Sequence, residues 1–589
     1  MLFLKEGEVF KMKKKLLTLS LVSFMFIPIV NSRVTLKNEK DRDVDFSQVV
    51  KLKSEYKDFN GDSLTIYNCA DYIDEELISE FEERYNCVVN YYTFDTPETM
   101  YNQLTLQPEG TYDLLCPSDY MIQRLVREGL VEPLDVEKET PVYAKYSASN
   151  LRTKLKSMKA DTNNDGVKDV DLDKYTAGYM WGTLGIIYDP YCSDTIREDV
   201  KSWDVFWDKK YNDLISIKNS MRDTFVVGLM HGYTHGKFEH VEGIDQAARE
   251  TFLLELEQAT TEEQKVLARE KYNKTIQGLF DLVINREDYQ NTIEIVKNEL
   301  ISLKDNIFGL EVDSGKNDII TGKIKMNLAW SGDAVYSIDQ AMEASGKVLE
   351  YYVPEDGANV WYDGWVLPNK ANRELACKFI DFLSEPVNAM RNMDYIGYTS
   401  FIACDEIFDL ISSWYGVSSY YEEGEYFASY YSEEDDEQVD GSIVEYNGKF
   451  YECIKDSQGN LPTNEEYFIE VDKDELDIGE AYDLGFIFGD KFDSERSGVI
   501  YPYNDCYNQL IAQYPDEDTI ARCAVMNDFS DRNDEVVIMW SQVKAYTDMT
   551  PYYIVLFSSV GIIVIYFVTK LILKNKSTRN KRRLEDLTK

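Results

Sequence analysis

Short strand patterns alternate with amphipathic helix patterns after residue 62, and this alternation constrains the fold more than any other feature. Three apolar runs predict strands, and each is followed by a helix pattern: the strands at 63–67, 88–92 and 112–116, the helices at 74–85, 96–104 and 121–128. Such an alternation predicts an α/β fold with a largely parallel sheet. Ligands of such sheets bind in the turns that follow the carboxyl ends of the strands.

The charge of the chain limits its partners. The 589 residues exceed the length of one domain, and they carry a formal net charge of −44. This charge argues against nucleic acid and anionic lipid surfaces as partners, and it attracts cations. The nine cysteines stand singly without a CxxC pair, so free thiols are expected, although one or two bridges are not excluded by the sequence.

Apolar runs stand near both ends of the chain. Residues 1–32 predict a signal peptide or an N-terminal anchor, and 33–62 predict a linker. Residues 552–573 predict a transmembrane helix, and the basic residues of 574–589 predict a cytoplasmic tail. The expected location is therefore the cell membrane, with the region between the two apolar runs outside the cell.

Four segments combine an acidic residue with aromatic residues, at 68–72, 117–120, 330–333 and 357–368. In the last segment, a period of two places Trp361, Asp363 and Trp365 on one face of a strand. Aromatic faces beside a fixed negative charge suit an organic cation. A core strand rich in tryptophan, with a solvated aspartate at its end, is the alternative interpretation.

The segment 161–173 resembles a calcium loop, because acidic and amide side chains surround Gly166 at the required spacing. Leu172 stands where an EF-hand needs glutamate, so an Asx-rich turn is the favoured interpretation. A structural calcium ion is the alternative.

The three histidines of the chain, His231, His235 and His240, have a spacing that suggests a metal cluster. Gly232 and Gly236 are expected to break the helix that would align them. No metal site is therefore expected.

Two regions predict insertions. The stretch 249–300 is strongly helical, with an apolar stripe that predicts a packed helical hairpin. Residues 418–498 are rich in tyrosine and acidic residues, and 443–453 predict a β-hairpin about Asn447-Gly448.

Several motifs, in one order along the chain, resemble the polyamine (spermidine/putrescine) substrate-binding proteins of ABC transporters, a periplasmic-binding-protein type II family. They are YNCADYI (67–73), ETMY (98–101), YDLLCPSDY (112–120), YMWGT (179–183), SWDVFW (202–207), NLAWSGDA (327–334), WYDGWVLP (361–368) and IGY (396–398).

The resemblance implies a two-lobed α/β clamp of the periplasmic-binding-protein type II class. The first lobe would comprise 63–174 and 363–413, and the second 175–362 and 501–548. A helical insertion at about 239–300, a small β-containing insertion at 414–500 and the C-terminal transmembrane helix would be additions, since the family ordinarily lacks them.

The resemblance also implies a ligand site made of Cys69, Asp71, Tyr72, Ser118, Asp119, Tyr120, Ser220, Asp223, Trp330, Asp333, Trp361, Asp363 and Tyr398. Cys69 stands where the family usually has tryptophan. Ser220 stands where spermidine-type members carry aspartate for the middle amine. Putrescine is therefore expected to bind at least as well as spermidine.

The implied function is the extracellular substrate-binding component of an ABC importer. It would bind putrescine or spermidine without a cofactor and deliver it to permease subunits that work with a cytoplasmic ATPase. No enzyme is expected, because the sequence offers no convincing catalytic triad, phosphate loop or zinc signature. The alternative is a surface adhesin or glycan-binding protein with a vestigial clamp.

Overall fold

The computed structural model describes residues 53–162, 168–284, 289–418, 425–432, 437–439, 441–473, 476–492, 496–546 and 564–570. The predicted signal peptide or anchor, residues 33–52 of the predicted linker and 163–167 of the calcium-like loop lie outside the described residues. So do the predicted tail and most of the predicted transmembrane segment. Across the described ranges, no helix has both the length and the apolar character needed to span a membrane.

The chain divides into two compact units, residues 1–533 and 534–589. The second unit contains most of the helix Asn533–Ala545 and the helical residues 564–570. All elements described below belong to the first unit.

The first lobe is built on a three-stranded parallel sheet of β1 (Ser63–Cys69), β2 (Val88–Phe94) and β3 (Leu114–Leu115), in the order β2-β1-β3. Helices α1 (Glu75–Tyr85), α2 (Pro97–Leu106) and α3 (Asp119–Arg127) follow these strands in turn. The α/β alternation predicted from the sequence is confirmed. Asp74 and Thr96 cap α1 and α2 because each side chain accepts a backbone N–H of the first turn.

Shorter helices complete this lobe, at Val136–Glu139, Pro141–Tyr146 and Ser149–Ser157. Part of the predicted linker also packs here. The backbone N–H of buried Ser54 donates to the Glu385 carboxylate at 2.7 Å, and Phe59 is buried with its ring edge towards Tyr85. The described part of the linker is thus joined to the lobe.

The second lobe is built on an eight-stranded mixed sheet. Its strands are β4 (Ala177–Tyr188), β5 (Ile215–Lys218), β6 (Gly309–Glu311), β7 (Met326–Trp330), β8 (Glu350–Tyr352), β9 (Ala358–Trp365), β10 (Thr399–Ser400) and β11 (Cys523–Ala524). The order is β11-β9-β4-β7-β5-β6, with β8 and β10 also paired to β4. β4 is antiparallel to its neighbours and buried throughout, whereas β7, β5 and β6 run parallel.

The helices of the second lobe include the long elements of the predicted helical insertion. The helices of this lobe are α4 (Met221–Thr234), α5 (Ala248–Gln258), α6 (Glu262–Phe280), α7 (Tyr289–Leu303), Ser314–Ile320 and α8 (Ser331–Ser345), of which α5, α6 and α7 belong to the insertion. The spacing Thr260-x-x-Glu263 in the sequence predicts a capping box here, but the capping box of α6 is formed by Thr261 and Gln264, one residue later. The expectation that Gly232 breaks α4 is wrong. The helix continues to Thr234 because Gly232 lies in a packed position, where a side chain would meet Ile295 and Phe238.

Strand β9 connects the two lobes. It pairs with β4 with a register irregularity between Tyr362 and Gly364. At the irregularity, and again just after β9, the same segment bonds to the first lobe, through bridges of Asp363 with Ser118 and of Val366 with Leu115. Two helices, α9 (Arg373–Leu383) and α10 (Pro386–Ile396), then return to the first lobe. There Phe379 and Phe382 pack on Phe81 of α1.

The region 414–500 follows the helix Asp405–Tyr415 and forms small antiparallel sheets. One sheet contains Gly416–Ser418, Tyr482–Asp483 and Val499–Pro502, and another contains Ile443–Tyr446, Lys449–Cys453 and Phe468–Val471. The predicted hairpin about Asn447-Gly448 is confirmed, and both turn residues have positive φ. The second sheet covers a small core of Val444, Tyr451, Cys453 and Phe468. Cys69, Cys87, Cys116, Cys192, Cys377 and Cys523 are free thiols.

Candidate ligand-binding cleft

The ends of β1, β3 and β7, the N-terminal turn of α4 and strand β9 meet between the two lobes. Most of the side chains predicted as the ligand site lie on these segments. Aromatic rings connect them across the cleft, because Tyr398 contacts Tyr72 at 5.2 Å and Trp361 at 5.7 Å between ring centroids. The turn positions expected from an α/β sheet are therefore where the structure gathers these residues.

Asp363 is buried at the connection between the lobes. Its Oδ2 accepts a hydrogen bond from the Tyr72 hydroxyl at 2.8 Å, and it also interacts with the Ser118 hydroxyl. Its Oδ1 is buried without a hydrogen-bond partner among the described residues. Burial raises the pKa of Asp363 to about 6; the negative charge of Asp223 adds to this, and the two hydroxyl groups oppose it. Asp363 is thus an anion that lacks a cation.

Asp333, in the first turn of α8, is a buried anion that already has a cation. Its Oδ2 accepts from the Lys218 ammonium at 2.9 Å and its Oδ1 from the Tyr398 hydroxyl at 2.9 Å. Burial raises the pKa of Asp333, but the charges of Lys218 and Lys316 outweigh it and hold the pKa below its usual value. The neighbouring Gly332 lets the Tyr398 ring lie against the helix start, since a Cβ there would come within 2.3–2.5 Å of the ring.

Lys218, which the sequence analysis did not assign to the site, is fully buried at the end of β5. Its ammonium lies 4.4 Å from the Trp330 ring centroid, 3.3 Å from a Glu311 carboxylate oxygen and 2.8 Å from the Val312 carbonyl. Burial lowers the pKa of Lys218, but the charges of Asp333 and Glu311 raise it above the ordinary value. A lysine thus occupies the aromatic and anionic surroundings that an organic ammonium would use. A lysine ending the strand Ile-Ser-Ile-Lys, which has no other charged residue, was the available signal, because a buried lysine needs a buried anion.

Asp223 is a third buried carboxylate, in the first turn of α4. Ser220 caps this helix by accepting the Asp223 N–H at 3.4 Å. Burial raises the pKa of Asp223; bonds from Ser220 and Trp330 oppose this, as do the charges of Lys218 and Arg222. The predicted position for a middle amine therefore has a hydroxyl engaged in helix capping, and this hydroxyl also interacts with the Asp223 carboxylate.

Arg222 joins the two lobes on the other side of Asp223. Its guanidinium carbon lies 3.7 Å from the Tyr120 ring centroid and 4.2 Å from that of Phe529, and one nitrogen donates to the Asn527 carbonyl at 2.8 Å. The sequence analysis missed this residue too.

Asp119 is buried beside this contact and accepts the Tyr362 N–H at 3.0 Å. Burial raises the pKa of Asp119 to about 7, while the Tyr362 N–H and the Arg222 charge oppose the shift. Because its oxygens already accept backbone N–H groups, we assign Asp119 a supporting position.

Three of the residues singled out in the sequence are not buried polar or aromatic groups of the cleft. Asp71 is exposed, with a left-handed φ of 50°, and it lies near Tyr395 of α10. Cys69 is half-buried, and burial raises its pKa well above the usual value. Trp365 packs on Tyr179 of β4 and on Phe379 of α9. Trp365 is therefore a core residue, as in the alternative interpretation of this strand. Asp363 is buried, whereas that interpretation expected it to be solvated.

The charges of the cleft do not balance. Five buried carboxylates lie in or behind it: Asp119, Asp223, Glu311, Asp333 and Asp363. Three cationic side chains, Lys218, Arg222 and Lys316, contact or stabilise them. With every carboxylate ionised, two negative charges are left without a cation among these described groups. An excess of two negative charges is chemically suited to a dication.

The chain is similar in sequence to several known proteins. The spermidine/putrescine-binding periplasmic protein of Salmonella typhimurium is 25% identical over 342 residues, which cover 58% of this chain and 77% of the relative. The putrescine-binding periplasmic protein of Escherichia coli is 24% identical over 343 residues, with 57% and 77% coverage. A solved spermidine/putrescine ABC transporter structure from Listeria monocytogenes has 25% identity and a TM-score of 0.43, covering 59% of this chain and 86% of that one.

The resemblance stated from the sequence motifs is confirmed by these matches. The family model for bacterial extracellular solute-binding proteins matches residues 76–403, more than half of the chain. This match includes the parallel sheet of the first lobe from β2 onwards, the whole helical insertion and the cleft from Ser118 to Tyr398. The chain therefore belongs to the bacterial extracellular solute-binding proteins.

Proposed function

We propose that this protein binds a short aliphatic diamine of the putrescine type between its lobes and delivers it to the permease of an ABC importer. The observation that carries the proposal is Asp363, a buried carboxylate beside aromatic rings with one oxygen unpaired. A buried carboxylate without a cation lowers the stability of the folded protein by roughly several kcal/mol. A ligand ammonium removes that cost by forming a charge-assisted hydrogen bond. The relatives named for spermidine and putrescine support the same class of ligand.

The charge of the cleft favours a diamine over a triamine. When all five carboxylates are ionised, the two negative charges that lack a cation among the described groups match the two ammonium groups of putrescine. Lys218 already fills the anionic and aromatic surroundings made by Asp333 and Trp330. A triamine would have to bring a third ammonium to a region where Ser220 supplies only a hydroxyl group. Lys218 is therefore a second and independent reason, besides Ser220, to expect a preference for putrescine over spermidine.

Binding to the full-length protein tests the proposal. Titration calorimetry with putrescine and with spermidine at matched salt should give one site, with putrescine at least as tight. 1,4-Butanediol is the matched control, because it has the same methylene chain without charge, and it should not bind. Absence of binding by both amines contradicts the proposal. A preference for spermidine of about tenfold or more, about 1.4 kcal/mol, contradicts the assignment of a diamine.

Membrane attachment is a separate part of the proposal. We infer that 552–573 anchor the chain and that the ligand-binding lobes lie outside the cell. The supporting evidence is the apolar run followed by basic residues, a pattern typical of a cytoplasmic tail. Attachment would keep the binding lobes close to the permease.

A further inference from the structure

A second group of chemically active side chains lies outside the cleft, at the C-terminal end of α4. His231 lies in the last turn of the helix, and His235 follows as its C-cap. Asp204, from the short 3₁₀ helix Trp203–Trp207, lies beside both. Its Oδ1 is 3.8 Å from His231 Nε2 and 3.7 Å from His235 Nδ1. One possible ligand atom from each residue lies within 4.8 Å of the other two.

His231 is held in a fixed orientation. Its Nδ1 lies 2.8 Å from a Glu299 carboxylate oxygen on α7, and its ring stacks on Trp207 at 3.6 Å between centroids. With Nδ1 bonded to a carboxylate, Nε2 is the nitrogen that remains for a metal, and it is the nitrogen nearer to Asp204. A carboxylate behind the second ring nitrogen is the usual support of a metal-binding histidine.

We propose that Asp204, His231 and His235 bind one transition-metal ion of the Zn²⁺ type, with Glu299 orienting His231. Two imidazoles one helical turn apart with one carboxylate give the three protein ligands of an open zinc site. Ligand atoms of a tetrahedral zinc ion are about 3.3 Å apart. His235 Nδ1 lies 2.9 Å from the His231 carbonyl, so binding of the ion requires the His235 ring to turn away from that contact as well as to move closer to Asp204 and His231. Asp204 and His235 are about half exposed, which permits both the movement and the entry of the ion.

The imidazole ligands decide the class of metal. Ca²⁺ and Mg²⁺ prefer sites made of oxygen atoms alone, whereas imidazole suits Zn²⁺ and its neighbours in the first transition series. The site would tie α4 to the segment 203–207, and through Glu299 it would also fix α7 of the helical insertion. It does not share residues with the cleft, so it does not depend on the proposed diamine function.

The test is a Zn²⁺ titration of the full-length protein stripped with a chelator, followed by calorimetry and by the absorption of bound Co²⁺. Unmodified protein should bind one equivalent. His235→Gln and Asp204→Asn should each weaken binding at least about tenfold, since each removes one of three ligands. Glu299→Gln should weaken it about tenfold through the orientation of His231. These are safer variants than one at buried His231.

His240→Gln is the matched control. His240 is exposed and interacts with Asn291 at 2.9 Å, so its loss should leave Zn²⁺ affinity unchanged. The proposal is overturned if His235→Gln and Asp204→Asn bind Zn²⁺ as tightly as the unmodified protein. It is also overturned if His240→Gln loses as much affinity as they do, because the ion would then be bound elsewhere. Co²⁺ bands of an octahedral all-oxygen site would contradict imidazole ligation.

Discussion

Replacing Asp363 by asparagine should change ligand affinity and protein stability in opposite directions. The ligand ammonium would lose a charge-assisted hydrogen bond inside a buried site, which is worth about 2–4 kcal/mol. Affinity for putrescine should therefore fall about 30- to 1,000-fold. The change keeps the size of the side chain, so the contacts of Trp361 and Tyr398 with each other should remain.

The ligand-free protein should become more stable. Burial raises the pKa of Asp363 from 3.8 to about 6, and a difference of about two units corresponds to about 3 kcal/mol of unfavourable free energy at neutral pH. The asparagine amide needs hydrogen-bond partners of its own, which costs about 1–2 kcal/mol. The expected net gain in the free energy of unfolding is about 1–2 kcal/mol.

The pH dependence follows from the same shift. The folded protein holds the Asp363 proton more tightly than the unfolded chain does, so the unfavourable contribution is absent below about pH 4 and grows as the pH rises through about 6. The gain in stability of Asp363→Asn should therefore be seen at pH 8, and near pH 4 it should be replaced by a loss of about 1–2 kcal/mol, because only the cost of the amide remains there. Putrescine affinity of the unmodified protein should fall as the pH drops below about 6, because binding then has to displace this proton.

Chemical denaturation and titration calorimetry on the same preparations measure the two effects. Asp381→Asn is the matched control. Asp381 is also buried with a pKa raised by burial to about 6, but its carboxylate accepts the N–H groups of Val142 and Tyr143 in the first lobe. Its replacement should leave putrescine affinity unchanged. Unchanged affinity in Asp363→Asn, or weaker binding together with lower stability, would refute the reasoning.

Four further outcomes are expected. Lys218→Met should lower the free energy of unfolding by about 3–5 kcal/mol, because the buried carboxylates of Asp333 and Glu311 lose their cation. In competition binding it should shift the preference towards spermidine, and an unchanged preference would contradict the proposed excess of two negative charges in the cleft. Ser220→Asp should shift preference the same way, and if it does not, the middle amine binds elsewhere. Trp361→Ala should weaken putrescine binding by about 2 kcal/mol in calorimetry through lost aromatic contact, whereas full-strength binding would assign Trp361 to the core. Protease added to intact cells should digest 53–546 and spare a short C-terminal fragment, and a protected central region would place the lobes inside the cell.

The sequence predicted the elements of the first lobe because each of its strands is a short run followed by an amphipathic helix pattern, and the first two of these helices begin at a capping side chain. The strand predicted at 63–67 extends to Cys69 in the structure, and the helix predicted at 74–85 has Asp74 as its cap. Such local signals do not depend on distant contacts. The irregularity in β9 was not predictable, because it arises from pairing with β4, and it is what separates Trp365 from the cleft.

The candidate site was predictable only in part. The pairing of acids with aromatic residues identified Asp363 and Asp333 but did not distinguish a free anion from a paired one. That difference depends on Lys218, which is 115 positions from Asp333 in the chain. The helix break expected at Gly232 failed for a related reason. Packing against Ile295 and Phe238 stabilises the helix where the intrinsic preference of glycine opposes it.

The position of Asp363 on the strand that bonds to both lobes has a mechanical consequence. In a rotation of one lobe relative to the other about β9, the displacement of a group grows with its distance from β9. The Tyr72 and Ser118 partners of Asp363 would therefore stay close in every arrangement of the lobes, whereas Trp330 and Arg222 would swing. A ligand ammonium would therefore bind Asp363 first. The free energy of the contacts that form later, farther from β9, would favour the closed arrangement of the lobes.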